Sequence, residues 1–443
     1  PDMETPQYDT MFDFSGEGGI LRLAEKCNGS GDCRKLAFTG GTMCPSYMAT
    51  RDEKDSTRGR ANALRELLTL NAHENPFNRP ELDEAMDLCL SCKGCTAECP
   101  SNVDMATLKA EYLYQKYRNA RPPLRARTFA NIGRLNGLAA RLPALSNAVL
   151  KGQLTGGFLK KILGVAPQRS LPALHPTTLR RWYRKHGARL EPSPPVKGKV
   201  WLFCDEFTNY NDAATGIHAV ELLNRLGYEV GMIDHPESGR AHISKGLLDA
   251  ARRMAIENVR LFSRKASQYM PLVGVEPSAI LGFRDEYPRL VPPELQEAAR
   301  ELGRHALMIE EFLCRELEQG KIDRSRFTSA SRQVLLHGHC HQKALSSVDY
   351  SAWALAIPEN YSVEIIPSGC CGMAGSFGYE REHYEVSMQI GELVLLPAIR
   401  QAPEAVLLAA PGTSCRHQIA DGAARRALHP VDILWQALDE PKN

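Results

Sequence analysis

No apolar run in this chain approaches the ~18 residues that a membrane-spanning helix requires. A short stretch such as Ala405-Val406-Leu407-Leu408-Ala409-Ala410 reads as a buried strand. Any membrane contact is therefore expected to be peripheral. A secretory leader pattern is missing too, so the thirteen cysteines, clustered at ligand spacings, read as reduced metal-binding thiols of a cytoplasmic protein rather than a disulfide framework. Net charge is small, with 54 Lys+Arg against 52 Asp+Glu, yet one stretch is one-sided. Between Tyr112 and Leu190 there is no Asp or Glu. No nucleic-acid recognition module accompanies that basic block, which removes nucleic acid from the expected partners. No acid–base or nucleophilic constellation stands out either, so substrate chemistry is expected on another domain.

What the chain has instead is Cys89-Leu90-Ser91-Cys92-Lys93-Gly94-Cys95-Thr96-Ala97-Glu98-Cys99-Pro100, a full CxxCxxCxxxCP run with the ligand spacing of a bacterial-type [4Fe-4S] cluster. Three thiolates two residues apart wrap one cubane, while the fourth, stiffened by Pro100, points away and serves a second cluster. A degenerate partner lies upstream: Cys27 and Cys33 keep the spacing, Ser30 stands where the middle Cys would be, and Cys44-Pro45 supplies the distal thiol. Crossing the motifs gives a complete set, Cys44, Cys89, Cys92 and Cys95, and a short set, Cys27, Cys33 and Cys99. The short set reads as a [4Fe-4S] with an oxygen ligand, a three-iron cluster or no site. For the complete set the competing reading is zinc, although structural zinc uses more widely separated CxxC pairs.

At 443 residues the chain has room for two to four domains. Apolar spacing at Leu64, Leu67 and Leu68 marks a helix from Ser56, Pro80–Leu88 a second with proline and acids at its start, and Asp104–Tyr117 a third. The basic stretch, with Arg134, Arg141, Lys151, Lys160, Lys161 and Arg181 among apolar Leu135, Leu138, Leu142, Phe158 and Ile162, reads as solvated helices bracing two domains. The sharper reading is a docking surface for an acidic partner domain or an anionic membrane face. After the Pro-rich linker Glu191–Pro195 comes a repeat. Val200–Cys204 matches Val334–Cys340, Ile233–Arg240 matches Ile365–Gly372, and Pro271–Ala279 matches Val406–Cys415. Each half is expected to be an α/β unit with its motifs at strand ends. The second half keeps Cys340, Cys370, Cys371 and Cys415, four candidate ligands for a cluster or zinc. The first keeps Cys204 alone, with Glu237, Ser238 and Ala279 at the other positions. His339, His341 and His417 flank ligand cysteines, as sulfur hydrogen-bond donors or outer ligands, and Cys314 reads as a buried apolar residue.

The stretches Met43–Thr50, Ser56–Asn62, Cys99–Met105, His337–Leu345 and Ser368–Glu380 together resemble the C-terminal iron–sulfur half of bacterial FAD-linked oxidase and iron–sulfur oxidoreductase fusions. These are related to D-2-hydroxyglutarate, D-lactate and glycolate dehydrogenases. The same modules are similar to the iron–sulfur subunit of anaerobic glycerol-3-phosphate dehydrogenase and to the CCG cysteine-rich domains of heterodisulfide reductase. The resemblance implies an α/β fold with an N-terminal all-α part. Residues 1–14 would be the trailing edge of a missing flavin domain and 15–118 a helical ferredoxin-like domain. A basic helical linker would follow at 119–195, a degenerate CCG repeat at 196–326 and a second at 327–443. It further implies that FAD on a separate or missing domain takes a hydride from a 2-hydroxy acid, and that iron–sulfur clusters pass electrons to a quinone or other acceptor, in the cytoplasm or at the inner membrane face. Two departures stand out: the CCG pair of the first repeat falls on Glu237 and Ser238, and in the second repeat Gly412 stands where a CxxC would begin. Heterodisulfide-reductase-like thiol chemistry at the C-terminal cluster and a zinc-stapled, non-redox scaffold are the competing expectations.

Overall fold

The computed structural model describes residues 5–69, 75–118 and 120–439. The first four residues of the opening segment, residue 119 at the head of the expected linker and the last four residues lie outside them. Glycine and proline loops break the first part into short helices. Pro80–Asp87 starts with proline, carries Glu81 and Asp83 in its first turn and buries Leu82, Ala85 and Met86, so its start is pre-set and its dipole matched. Its end delivers Cys89. Asp104 accepts from the Thr107 N–H and caps Met105–Tyr117, and Thr57–Thr69 buries Arg60, Leu64 and Leu68. Burial of a Leu or Phe contributes about 1.5–3 kcal/mol, and these helices share one core with Phe12 and Phe14 of the opening segment and with Phe262 and Phe283 from further on. That segment is tied down further, since the N–H groups of Met11 and Phe12 donate to the Glu111 carboxylate.

Two parallel sheets follow. β1 (Gly198–Phe203), β2 (Tyr228–Gly231), β3 (Leu272–Gly274) and β4 (Ala306–Met308) lie in the order β2-β1-β3-β4. β5 (Arg332–Leu336), β6 (Tyr361–Ile365) and β7 (Leu407–Ala409) lie in the order β6-β5-β7. Val200 pairs with Val230 and Trp201 with Leu272 in the first, and Val334 pairs with both Val363 and Leu407 in the second. The two sheets thus share the same order over three strands. Where β4 completes the first, a single parallel bridge from Ala409 to Leu428 stands in the second. Strands covered by helices on both faces are apolar throughout, as in Leu272 and Val273. Every segment foreseen as a strand-end motif leaves the carboxyl end of a strand, where parallel sheets place their ligands.

The basic stretch forms helices Leu124–Ala130, Ile132–Ala139, Pro143–Lys151, Gln153–Leu163 and Leu179–Lys185. Part of it braces the fold as expected. Fully buried Arg169 donates to the Gly378 carbonyl at 2.7 Å and to Ser387 Oγ at 2.8 Å, and Arg180 donates to the His235 carbonyl at 2.7 Å. The middle helices face outward. No helix among the described residues is long and apolar enough to cross a membrane.

Candidate metal centres

Cys44, Cys89, Cys92 and Cys95 line one small pocket, flanked by Arg60 and Met105. Three non-glycine residues around it, Cys44, Ser91 and Lys93, sit at φ 56°, 51° and 60°. That left-handed backbone costs about 1–3 kcal/mol per residue and persists where the surroundings dictate it. The loop is also pinned by charge: Lys93, 1 % exposed, pairs with Asp285 and lies 3.0 Å from Glu286. Burial opposes its charge, but the two acids outweigh that and raise its pKa. Two backbone N–H groups point at sulfur: Thr57 N–H donates to Cys44 Sγ at 3.0 Å and Arg58 N–H to Cys33 Sγ at 3.4 Å. Such donors favour thiolates. Burial pushes the Cys95 thiol up to about 12, with Asp104 and Cys89 adding to it.

Cys44 also hydrogen-bonds to the Cys33 thiol, the main reason that Cys33 falls to about 6. Cys27 and Cys99 pack, partly buried, on the same core. Glu98 holds the Cys99 turn against the upstream loop through Lys35 and the N–H groups of Thr42 and Met43. Ser30 is exposed, and its N–H donates to Asn28 Oδ1.

A second group of thiols closes over the C-terminal sheet. Cys340 opens the helix Cys340–Leu345 just beyond β5, Cys370 and Cys371 follow β6, and Cys415 follows β7; all four are buried. Their thiols form a chain from Cys340 to Cys370, Cys371 and Cys415. Gly372 has φ 90°, and a Cβ there would lie 2.2 Å from the Ser387 carbonyl oxygen, so the vicinal pair can only be followed by glycine. The ligand atoms of His337, Cys371 and Cys415 lie within 4.8 Å of one another. Ser368 holds His337 Nδ1 at 2.7 Å, which leaves Nε2 buried with no nitrogen or oxygen partner among the described residues and the Cys371 thiol as the neighbour of the ring. Sequence reasoning singled out His339, His341 and His417 and missed this imidazole. Among the described residues His339 Nδ1 instead accepts from the His341 N–H, and His341 Nε2 lies 3.1 Å from the Ser91 carbonyl. Cys314, as expected, is a buried core residue, its thiol on the Tyr350 carbonyl.

The two thiol groups share a wall. Cys92 sits in one apolar cluster with Cys340, Cys370, Phe377 and Ile390, and its thiol is raised by burial first and by Cys340 second. At the matching strand ends of the first sheet no such group exists among the described residues. Cys204 is alone, its thiol pushed up to about 12 by burial, and Glu206 accepts from Ser238 N–H at 3.0 Å and Ser238 Oγ at 2.8 Å.

Buried thiols gathered in two groups, N–H groups aimed at sulfur, and an imidazole close to two of the thiols together fit a thiophilic metal group at these positions. The comparisons agree. Residues 26–104 match the family model of the 4Fe-4S dicluster domain, so 4Fe-4S clusters are the cofactors of this region, and the chain is an iron–sulfur protein homologous to the iron–sulfur part of certain oxidoreductases. It is 27% identical to D-2-hydroxyglutarate dehydrogenase of Escherichia coli over 94% of its own length and 44% of that protein. It is 28% identical to one subunit of the anaerobic glycerol-3-phosphate dehydrogenase of the same organism, over 80% of this chain and 87% of that subunit. With the iron–sulfur subunit of E. coli glycolate oxidase the identity is 22%, over 92% and 94% of the two chains. The chain thus spans about half the length of the D-2-hydroxyglutarate dehydrogenases it matches. No solved structure matches it.

Proposed function

We propose that the chain relays electrons from a flavin-bearing 2-hydroxyacid dehydrogenase domain or subunit to a quinone or other acceptor. Cys44, Cys89, Cys92 and Cys95 are the ligand set of the central cluster, Cys27, Cys33 and Cys99 contribute to its neighbour, and Cys340, Cys370, Cys371 and Cys415, joined by His337, form the distal site. Bound there, iron–sulfur clusters accept and release electrons one at a time. The chain's own residues exclude water, orient sulfur through Thr57 and Arg58, and hold the two sites against each other. The domain limits 15–118, 196–326 and 327–443, and the reading of the two α/β units as CCG repeats, belong to the same proposal.

The observation that carries it is the shared wall: Cys92 of one site packs on Cys340 and Cys370 of the other, which is the arrangement a one-electron relay needs. A zinc at the distal site is the second reading, favoured by the close His337, Cys371 and Cys415 set. Iron, sulfide and zinc content of anaerobically purified protein, with electron paramagnetic resonance before and after dithionite, separates the two. About eight or more irons per chain support the relay, and about four irons with one zinc support the alternative. Reconstitution with the flavoprotein adds the functional test: acceptor reduction that survives Cys89→Ser sinks the relay.

A further inference from the structure

Among the described residues, nine of the sixteen large exposed apolar side chains fall between Leu124 and Ile162. Their spacing is not random. Leu135, Leu138 and Leu142 recur at three and four residues, Leu142, Leu145 and Val149 do so again, and Leu154, Phe158 and Ile162 recur at four. Leu135 and Leu138 lie on the helix Ile132–Ala139, Leu145 and Val149 on Pro143–Lys151, which Leu142 caps, and Leu154, Phe158 and Ile162 form one face of Gln153–Leu163. Such stripes normally face a core, yet here Leu154 is 89 % exposed, Phe158 67 % and Leu142 64 %. The helices Pro143–Lys151 and Gln153–Leu163 pack on each other as a hairpin and present these faces outward. A contiguous exposed apolar face marks a surface that something covers.

The charge around it says what. No acidic residue occurs in this stretch, and Arg134, Lys151 and Lys161 have no acidic partner among the described residues. Beside the hairpin an open cleft is lined by Arg141, Arg180, Arg181, Arg184 and Lys185, with Asn209 and Tyr210 and no acid. Arg180 is committed to the His235 carbonyl and Arg184 to Asp234, while Arg141, Arg181 and Lys185 make no ion pair among the described residues. Arg141 in the cleft directly precedes Leu142 on the stripe, so cation and apolar side chain alternate across one edge. Leucine with flanking lysine is the composition of a helix lying in a lipid headgroup layer. Basic side chains without acids beside an exposed apolar face also match the negative surface potential of an anionic leaflet.

We propose that this face binds an anionic lipid bilayer: the hairpin sinks Leu142, Leu145, Leu154 and Phe158 among the acyl chains, and the Arg141–Arg181–Lys185 cleft takes phosphate-bearing headgroups. The proposal is independent of the electron relay, which can fail while this stands.

The test is co-sedimentation of the full chain, with its clusters, on vesicles of phosphatidylcholine alone or with about a quarter phosphatidylglycerol. Binding is expected on the anionic vesicles only and weakens as salt rises. The pair Leu154→Glu and Phe158→Glu should reduce it at least about tenfold, and Arg181→Glu or Lys185→Glu about fivefold each. These side chains are exposed, so iron content and visible absorbance should match the unaltered protein and report that the variants are folded. Equal binding to phosphatidylcholine alone, no binding to anionic vesicles, or unchanged binding by the Leu154/Phe158 variant would overturn the proposal. So would maleimide labelling of Phe158→Cys that the partner flavoprotein blocks and anionic vesicles do not.

Discussion

The two α/β units place their motifs at the same strand ends and fill them with opposite chemistry. In the second, Cys340, Cys370, Cys371 and Cys415 crowd together, with the ligand atom of His337 within 4.8 Å of the sulfurs of Cys371 and Cys415, a donor set suited to a metal. In the first, Glu206 and Ser238 satisfy each other, and the solitary Cys204 is held as a neutral thiol. A hydrogen-bonded carboxylate needs no cofactor, so the first unit is free to act as a brace for the other parts. From it, Glu276 accepts from the Thr413 N–H at 2.9 Å, two residues from Cys415, and Asp285 and Glu286 clamp Lys93 between Cys92 and Cys95. One unit gathers the thiols of the proposed distal site, and the other makes contacts beside both thiol groups.

The sharpest break of this contrast is at matching positions. Cys371→Ala should abolish metal at the distal site while the N-terminal iron signal persists, as metal analysis and electron paramagnetic resonance would report. Next in size is the brace: Lys93→Met leaves Asp285 buried without its cation, while Glu286 keeps Arg240, and should cost about 3–5 kcal/mol, seen as a lowered denaturation midpoint. Ser238→Ala removes a hydrogen bond to a carboxylate and should cost about 1.5–3 kcal/mol with metal content unchanged. Loss of metal in Ser238→Ala would erase the distinction between the units.

The smallest effect is a pH dependence at the seam between the ferredoxin-like region and the second unit. Burial opposes the charge on His383, but its hydrogen bond to Asp87 and its ion pair with Glu380 outweigh burial and raise its pKa. Its stabilisation is therefore complete below the ordinary histidine value of about 6.5 and is lost as pH rises through the raised value. Because Asp87 is half exposed, the contribution is about 1 kcal/mol at most. Thermal midpoints of the parent and His383→Gln should differ more at acid than at alkaline pH, and a constant difference would remove the charge from the account.

What could be read in the chain was what neighbours in sequence decide. The spacing of Cys89, Cys92 and Cys95, the proline start of Pro80–Asp87 and the alternation of strand and helix are local, and the crossed set with Cys44 follows from cluster geometry. The expected helix Asp104–Tyr117 begins one residue later only because Asp104 turns out to be its cap. Contacts between distant segments were not legible. Nothing local to Cys92 indicates that Cys340 and Cys370 form its wall, and nothing near Glu276 indicates that it reaches Thr413. His337 was overlooked because a histidine at the end of an apolar strand looks like a core residue; its closeness to Cys371 and Cys415 exists only in three dimensions. The outward stripes of the basic stretch had the periodicity of core helices, and only the fold shows that they face solvent.

The shared wall also bears on how the protein is made. The apolar surroundings of Cys92 come from Cys370, Phe377 and Ile390 near the far end of the chain. While the polypeptide is still emerging, the pocket of the first thiol set already has its lining, which comes entirely from Cys44 to Ala106, and only the side of it at Cys92 waits for the far end of the chain. A chain cut short before Cys340 would keep the first thiol set and leave that one side bare.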